Sequence, residues 1–144
     1  MPNFSTPTMP QRILLVEDDV MVGPVVREML TNGAYDVVLT RDLADTVILG
    51  DYNFDAVISD FKLLTSDGCD VIEFMRDKKP GIPALLVSGY GQRVADCCGK
   101  RGIKGVNFLA KPFSPRQLLD TMAALLAAPD PISPPPQSAT PFPR

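Results

Sequence analysis

Two hydrophobic rhythms alternate along the chain between Arg12 and Ala128. The first consists of short apolar runs, at Ile13–Val16, Tyr35–Leu39, Ala56–Ser59, Ala84–Ser88 and Val106–Leu109. Each has the length of a strand, and most are rich in Val, Ile or Leu. Several lack polar alternation, the pattern of strands buried on both faces. The second rhythm is helical. Val22, Val25, Val26, Met29 and Leu30 form one stripe, and Leu118, Leu119, Met122, Leu125 and Leu126 another. Leu43, Ala44, Val47 and Ile48 form a shorter one, as do Val71, Ile72 and Met75. This spacing predicts helices that turn these side chains to a core. Tyr90–Arg101 offers only Val94, Ala95, Cys97 and Cys98, which predicts a short, polar, mobile helix.

Local punctuation fits the same elements. Ser114 before Pro115 reads as an N-cap and first helical residue. Lys78 and Lys79 place positive charge at a helix C-terminus, and Pro80 ends the run. Gly33 closes the first helix. Gly23-Pro24 conflicts with that helix unless it starts late or bends there, because proline lacks an N–H to donate. Strand then helix, five times over, predicts an α/β fold: a parallel sheet with right-handed crossovers and helices on both faces. Ligands of such sheets bind beyond the carboxyl ends of the strands.

Composition narrows the picture. The 144 residues suit one domain and are too few for two ordinary ones. Residues 12–128 carry the alternating pattern. The flanks, 1–11 and 129–144, are proline-rich and predict disordered or semi-rigid chain. A net charge of −3 gives no electrostatic support for nucleic-acid or anionic-membrane partners. No apolar run reaches membrane-spanning length, and residues 1–11 lack the pattern of a signal peptide. There is no histidine, which excludes Ser-His-Asp chemistry and His-ligated metals. Cys69, Cys97 and Cys98 contain no CxxC pair, so they read as free thiols of a cytoplasmic protein.

The strand ends carry the candidate chemistry. The first ends Val16-Glu17-Asp18-Asp19, the third Ile58-Ser59-Asp60 and the fourth Val87-Ser88-Gly89. The fifth leads into Phe108-Leu109-Ala110-Lys111-Pro112. Carboxylates gathered at one edge repel by about 4 kcal/mol per pair at about 4 Å, for an effective dielectric near about 20. Such a cluster needs a counter-charge. Oxygen donors of this kind suit Mg²⁺, and Lys111 adds a fixed cation. A dication and an amine around a carboxylate are what phosphoryl transfer to aspartate requires. Singly, each residue has a plainer role: Asp18 as a cap, Ser88 and Gly68 in turns, Phe108 in a core, Lys111 on the surface.

Taken together and in order, these segments resemble the response-regulator receiver family of two-component signalling systems. The resemblance rests on Arg12-Ile-Leu-Leu-Val-Glu-Asp-Asp, Asp55-Ala-Val-Ile-Ser-Asp60, Ser88-Gly89 and Lys111-Pro112-Phe113. Gly68 lies eight residues after Asp60, and Phe108 three before Lys111, which adds specificity. It implies a flavodoxin-like doubly wound sheet of five parallel strands in the order 2-1-3-4-5. It implies that Asp60 takes a phosphoryl group from a histidine kinase or histidine phosphotransfer protein. Mg²⁺ would be held by Asp18, Asp60 and the backbone carbonyl of Lys62, with Glu17 helping through water. A one-residue slip would make the acidic pair Asp18–Asp19. Lys111 would contact the phosphoryl group, across a cis Lys111-Pro112 bond. Ser88 and Phe108 would form the switch that alters the face made by the fourth helix, fifth strand and fifth helix, toward a downstream protein target. The domain would catalyse only its own phosphorylation and dephosphorylation, with no DNA-binding output domain attached.

The chain departs from the family at Leu64, where proline is frequent, so the loop after Asp60 is expected to be less rigid. Lys62 and Tyr90 occupy the positions expected to tune phosphoryl lifetime. Two other readings compete: a receiver-like module that signals by contact alone, and a nucleotide- or flavin-binding enzyme. No GxGxxG or GxxxxGK[ST] run is present to support the enzyme.

Overall fold

Strand β1 (Arg12–Val16) shows why the sheet is covered twice. Ile13 and Leu15 point to one face, Leu14 and Val16 to the other, and all four are buried. Side chains alternate across a strand, so an uninterrupted apolar run needs apolar cover on both sides. β3 (Ala56–Asp60) and β4 (Ala84–Ser88) repeat the pattern. The computed structural model describes residues 9–89 and 91–127, without the side chains of residues 91–93.

The five strands are parallel, in the order β2-β1-β3-β4-β5. The edges are β2 (Asp36–Thr40) and β5 (Val106–Ala110), and both are more exposed than the central three. Helices α1 (Val22–Asn32) and α5 (Pro115–Leu126) cover one face through Val26, Leu30, Leu118, Met122 and Leu125. Helices α2 (Leu43–Val47), α3 (Gly68–Lys78) and α4 (Gly91–Arg101) lie on the other. There Val71, Ile72, Met75, Val94 and Cys98 are buried against the sheet. This is the doubly wound, flavodoxin-like architecture in the expected order.

Caps set the helix ends. Ser114 accepts from the Gln117 amide, and Gln117 returns the bond to the Ser114 amide, with Pro115 in the first turn. Asp67 and Asp70 form the equivalent box on α3. Pro24 falls in the first turn of α1, where its missing N–H has no intrahelical partner to lose, so the helix starts at Val22. At the other end Ala34, not Gly33, takes the left-handed conformation, at φ 74°. Its amide donates to Thr31, and that of Tyr35 to Leu30, as in a Schellman turn. Tyr35 is thereby used as a cap, and β2 begins one residue later than the apolar run. Gly33 provides space instead: a Cβ there would lie 2.5 Å from a Leu119 methyl.

Two apolar stripes are corrected. α2 is only five residues long, and Val47 and Ile48 face solvent rather than the core. Its anchor is polar: Thr46 is buried and shares a 2.9 Å hydrogen bond with Thr40. Val25 of α1 is also exposed, because Gly23, Val26 and Leu30 already fill the face against the sheet.

Gly68 fixes the start of α3 against the end of β3. Its amide donates to Phe61 at 2.7 Å, and a Cβ there would meet the Asp60 carbonyl at 2.8 Å and a Leu86 methyl at 2.3 Å. Neither backbone can retreat without moving Asp60. Gly68→Ala should therefore destabilise the chain by about 1–3 kcal/mol, the usual range for overpacking. A lower urea midpoint at unchanged slope is the expected result.

Candidate functional site

The parallel register brings the strand ends level. Val16 pairs with Ser59, Asp60 with Val87, and Ser88 with Ala110. The residue after β1, the last of β3, the last of β4 and the residue after β5 therefore meet at one edge. These are Glu17, Asp60, Ser88 and Lys111. Carboxylate oxygens of Glu17, Asp18 and Asp60 all lie within 4.8 Å of one another. Asp18, Asp60, Lys62, Ser88 and Lys111 line one open pocket, together with Leu63, Leu64 and Gly89.

Lys111 is the counter-charge. Its Nζ is 3.0 Å from Asp60 Oδ1 and 3.5 Å from Glu17 Oε1. The peptide bond that follows it, Lys111-Pro112, is cis. Glu17 is buried, and its second oxygen accepts from the Asp19 amide at 3.1 Å. Asp19 turns away from the pocket. Its Oδ1 accepts from the Met21 and Val22 amides at 2.8 and 3.1 Å, which serves the first turn of α1. The acidic group at the edge is thus Glu17–Asp18 with Asp60, and the slipped pair Asp18–Asp19 is not what the fold assembles.

Burial pushes the Asp60 carboxyl above its ordinary value, and the hydrogen bond from Lys111 only partly offsets this. Glu17 is raised by burial and then by the charge of Asp60. For Lys111, burial opposes the charged form, but the hydrogen bond and charge of Asp60 outweigh it and hold the ammonium above its usual range. The cluster is under-compensated, one amine facing three carboxylates. Donors of this chemistry and spacing fit a hard dication. No other group of three close His, Cys, Asp or Glu donors occurs among the described residues.

Of the remaining sequence candidates, Ser88 and Leu64 line the pocket. Ser88 ends β4 and is buried. Phe108 sits in β5 opposite Leu86, partly buried against the α3 and α4 side of the core. Tyr90 lies outside the described residues. Leu64 is exposed at the tip of the loop after Asp60. That loop is tied rather than loose: the backbones of Lys62 and Asp67 form an isolated antiparallel β-bridge, the Leu63 amide donates to the Ser66 carbonyl at 3.1 Å, and the Leu63 side chain is buried.

Sequence reading missed one feature beside the site. Met21 and, on α1, Val22 and Val25 form an apolar shelf with Pro112 and Phe113, and Lys111 joins it to the acidic pocket. Val20, Met21, Val22 and Val25 are too many apolar residues for one buried helix face, and that excess was the available signal. Among the described residues, no helix is long and apolar enough to cross a membrane.

Comparison with known proteins agrees with this architecture. The family model for the response regulator receiver domain matches residues 13–123. The chain therefore belongs to the receiver domains of two-component response regulators. It is 34% identical over 115 residues to the uncharacterized transcriptional regulatory protein YbdJ of Bacillus subtilis, covering 80% of this chain and 50% of that protein. It is 31% identical over 110 residues to the regulatory protein VirG of Rhizobium radiobacter, covering 76% of this chain and 41% of VirG. The chain thus spans about half the length, or less, of these curated relatives. Among solved structures, the non-phosphorylated HemR receiver domain of Leptospira biflexa superposes with a TM-score of 0.72 at 27% identity, over 84% of this chain and 98% of that one. The chemotaxis protein CheY4 of Vibrio cholerae shares the fold, with a TM-score of 0.73 at 23% identity over 81% of this chain and 98% of CheY4.

The raised carboxyls make stability depend on pH. Asp60 and Glu17 hold protons more tightly in the folded chain than in the unfolded one. Their contribution is fully present below the ordinary carboxylate range and is lost as the pH climbs through the raised values. In metal-free buffer at neutral pH, Asp60→Asn should therefore melt at a higher temperature than the parent. The gap should close as the pH falls below about 4, where both forms are neutral. Thermal melts of the two proteins across pH measure this, and a lower melting temperature for the variant at neutral pH would contradict it.

Proposed function

We propose that this receiver accepts a phosphoryl group on Asp60 and uses it to change which protein it binds. The contact between Asp60 Oδ1 and Lys111 Nζ, 3.0 Å inside an acidic cluster, is the observation that carries the reading.

The donor is a phosphohistidine of a histidine kinase or histidine phosphotransfer protein, as befits a chain with no histidine of its own. The apolar shelf of Met21, Val25 and Phe113 gives a protein donor a place to rest next to the pocket. Glu17, Asp18, Asp60 and the Lys62 carbonyl would hold Mg²⁺, which neutralises charge on the phosphoryl oxygens. The Asp60 carboxylate is the nucleophile. It attacks phosphorus in line, the bond to the histidine nitrogen breaks, and that nitrogen keeps the electron pair. Lys111 loses Asp60 as an ion partner in this step and is left to face the incoming phosphoryl oxygens. Glu17 keeps the ammonium positioned from below.

Readout follows from what the new group needs. An aspartyl phosphate adds negative charge and acceptor oxygens at the end of β3. Ser88, ending the neighbouring β4, is drawn toward them and takes its loop along. Phe108 of β5 moves into the space released, and the face made by α4, β5 and α5 changes its preference for a downstream protein. Hydrolysis of the phosphoryl group resets the domain, with Lys62 and Tyr90 controlling the approach of water.

Intact-mass measurement with Mg²⁺ and acetyl phosphate tests the chemistry. One phosphoryl group should add to the parent chain and none to Asp60→Asn, and labelling should cease when the metal is chelated. Lys111→Ala should slow labelling by about a hundredfold, the usual scale for removing one group that stabilises transition-state charge. A parent chain that stays unlabelled under these conditions would leave only signalling by contact.

A further inference from the structure

Three thiols converge between α3 and α4, and none of them lines the acidic pocket. Cys69 lies in the first turn of α3 and is fully buried. Its Sγ is 3.5 Å from Cys98 Sγ and 3.8 Å from Cys97 Sγ, both on α4. All three cysteines are free, Cys98 buried and Cys97 half-buried. These separations exceed a disulfide bond of about 2.05 Å by less than a typical side-chain rotation covers.

The facing is fixed by charge as well as by packing. Arg101, one turn beyond the vicinal cysteines, reaches Asp67 at 3.2 Å and Asp70 at 2.8 Å, and also meets Glu73. A guanidinium shared by three carboxylates of α3 holds α4 in register, so the sulfurs stay opposite one another. Cys98 is the readiest nucleophile. The hydrogen bond from Cys69 lowers it, against the opposing effect of burial, and the charge of Arg101 assists. The sulfurs do not form a group of three mutually close donors, so a pair reaction suits them better than a metal.

We propose that Cys69 and the Cys97–Cys98 pair form an oxidation site, at which a hydroperoxide converts two thiols into a disulfide linking α3 to α4. The Cys98 thiolate attacks the peroxide, gains one oxygen and becomes a sulfenic acid, while the alcohol or water leaves. Cys69 attacks that sulfur; the S–S bond forms, the S–O bond breaks, and the oxygen departs as water. This leaves the bridge between the two buried sulfurs, and the half-buried Cys97 can exchange into it by attacking Cys69 and releasing Cys98 as a thiol. Overall, two thiols and one peroxide give one disulfide, one water and one alcohol or water.

The consequence for signalling rests on the phospho-acceptor reading above. α4 belongs to the face that changes on phosphorylation, and a covalent tie to α3 holds it in one arrangement while the Asp60 pocket stays intact.

Peroxide titration of the full chain, with thiols counted by maleimide after denaturation, tests the site. Reactive thiols should fall from three to one, the mass should drop by two hydrogens, and a thiol reductant should reverse both. Peptide mapping without reduction should join Cys69 to Cys98 or Cys97, and Cys69→Ala should keep both its thiols. Three thiols surviving peroxide, or bridges formed only between chains, would overturn the proposal. Mapping of the parent chain decides the matter even where Cys69→Ala folds poorly. Labelling of Asp60 by acetyl phosphate is followed in the same samples, so failure of the phosphoryl chemistry and failure of the bridge read out separately.

Discussion

Glu17, Asp18 and Asp60 meet at the carboxyl edge of the sheet with one amine, Lys111, to balance them. Like charges at such separations repel by several kcal/mol when water is partly excluded. Nothing local holds them there. Glu17 and Asp18 follow β1, Asp60 ends β3, and Lys111 follows β5, so only the register of the parallel ladder brings them level. The rest of the molecule can be understood as what keeps this under-compensated cluster in place.

The apolar layers supply the opposing free energy. Burying one Val, Leu or Ile side chain contributes about 1.5–3 kcal/mol, so a few core residues outweigh the carboxylate repulsion. The fold has many more: β1, β3 and β4 bury side chains on both faces, and four of the helices add their own. This explains how a fold can tolerate a site that weakens it. The charge compensation left incomplete here is what the proposed dication and phosphoryl group would complete. Gly68 is part of the same arrangement, since α3 can start against the Asp60 carbonyl only where no Cβ intervenes.

Around this centre the structure is unevenly tied. The loop after Asp60 is closed by the backbone β-bridge between Lys62 and Asp67 and by buried Leu63. α3 is boxed at its start and clamped to α4 through Arg101. Among its described side chains α4 buries Val94 and Cys98, and it also meets α3 through ion pairs and thiol contacts. Charge pairs and sulfur contacts rearrange more readily than a packed apolar interface. That places the adaptable contact next to the helix proposed to respond to Asp60.

The hydrophobic pattern by itself determined the elements, their order and the two-sided burial of the central strands. It did so because strand and helix periods differ and an apolar run on both faces admits few architectures. The charged residues gathered at the sheet edge were legible for the same reason, since strand ends are where parallel sheets present their side chains. Other features needed the tertiary structure. The orientation of Val25, Val47 and Ile48 toward solvent depended on how much of each helix face the sheet left to cover. The left-handed residue after α1 fell on Ala34, because Gly33 was needed for its missing Cβ beside Leu119. The division of labour between Asp18 and Asp19 was open in the sequence, and it was decided by the turn into α1, whose amides take Asp19. The meeting of Cys69 with Cys97 and Cys98 joins residues almost thirty positions apart, and no local pattern encodes such a contact. Periodicity records which face a side chain prefers; only packing decides what it meets there.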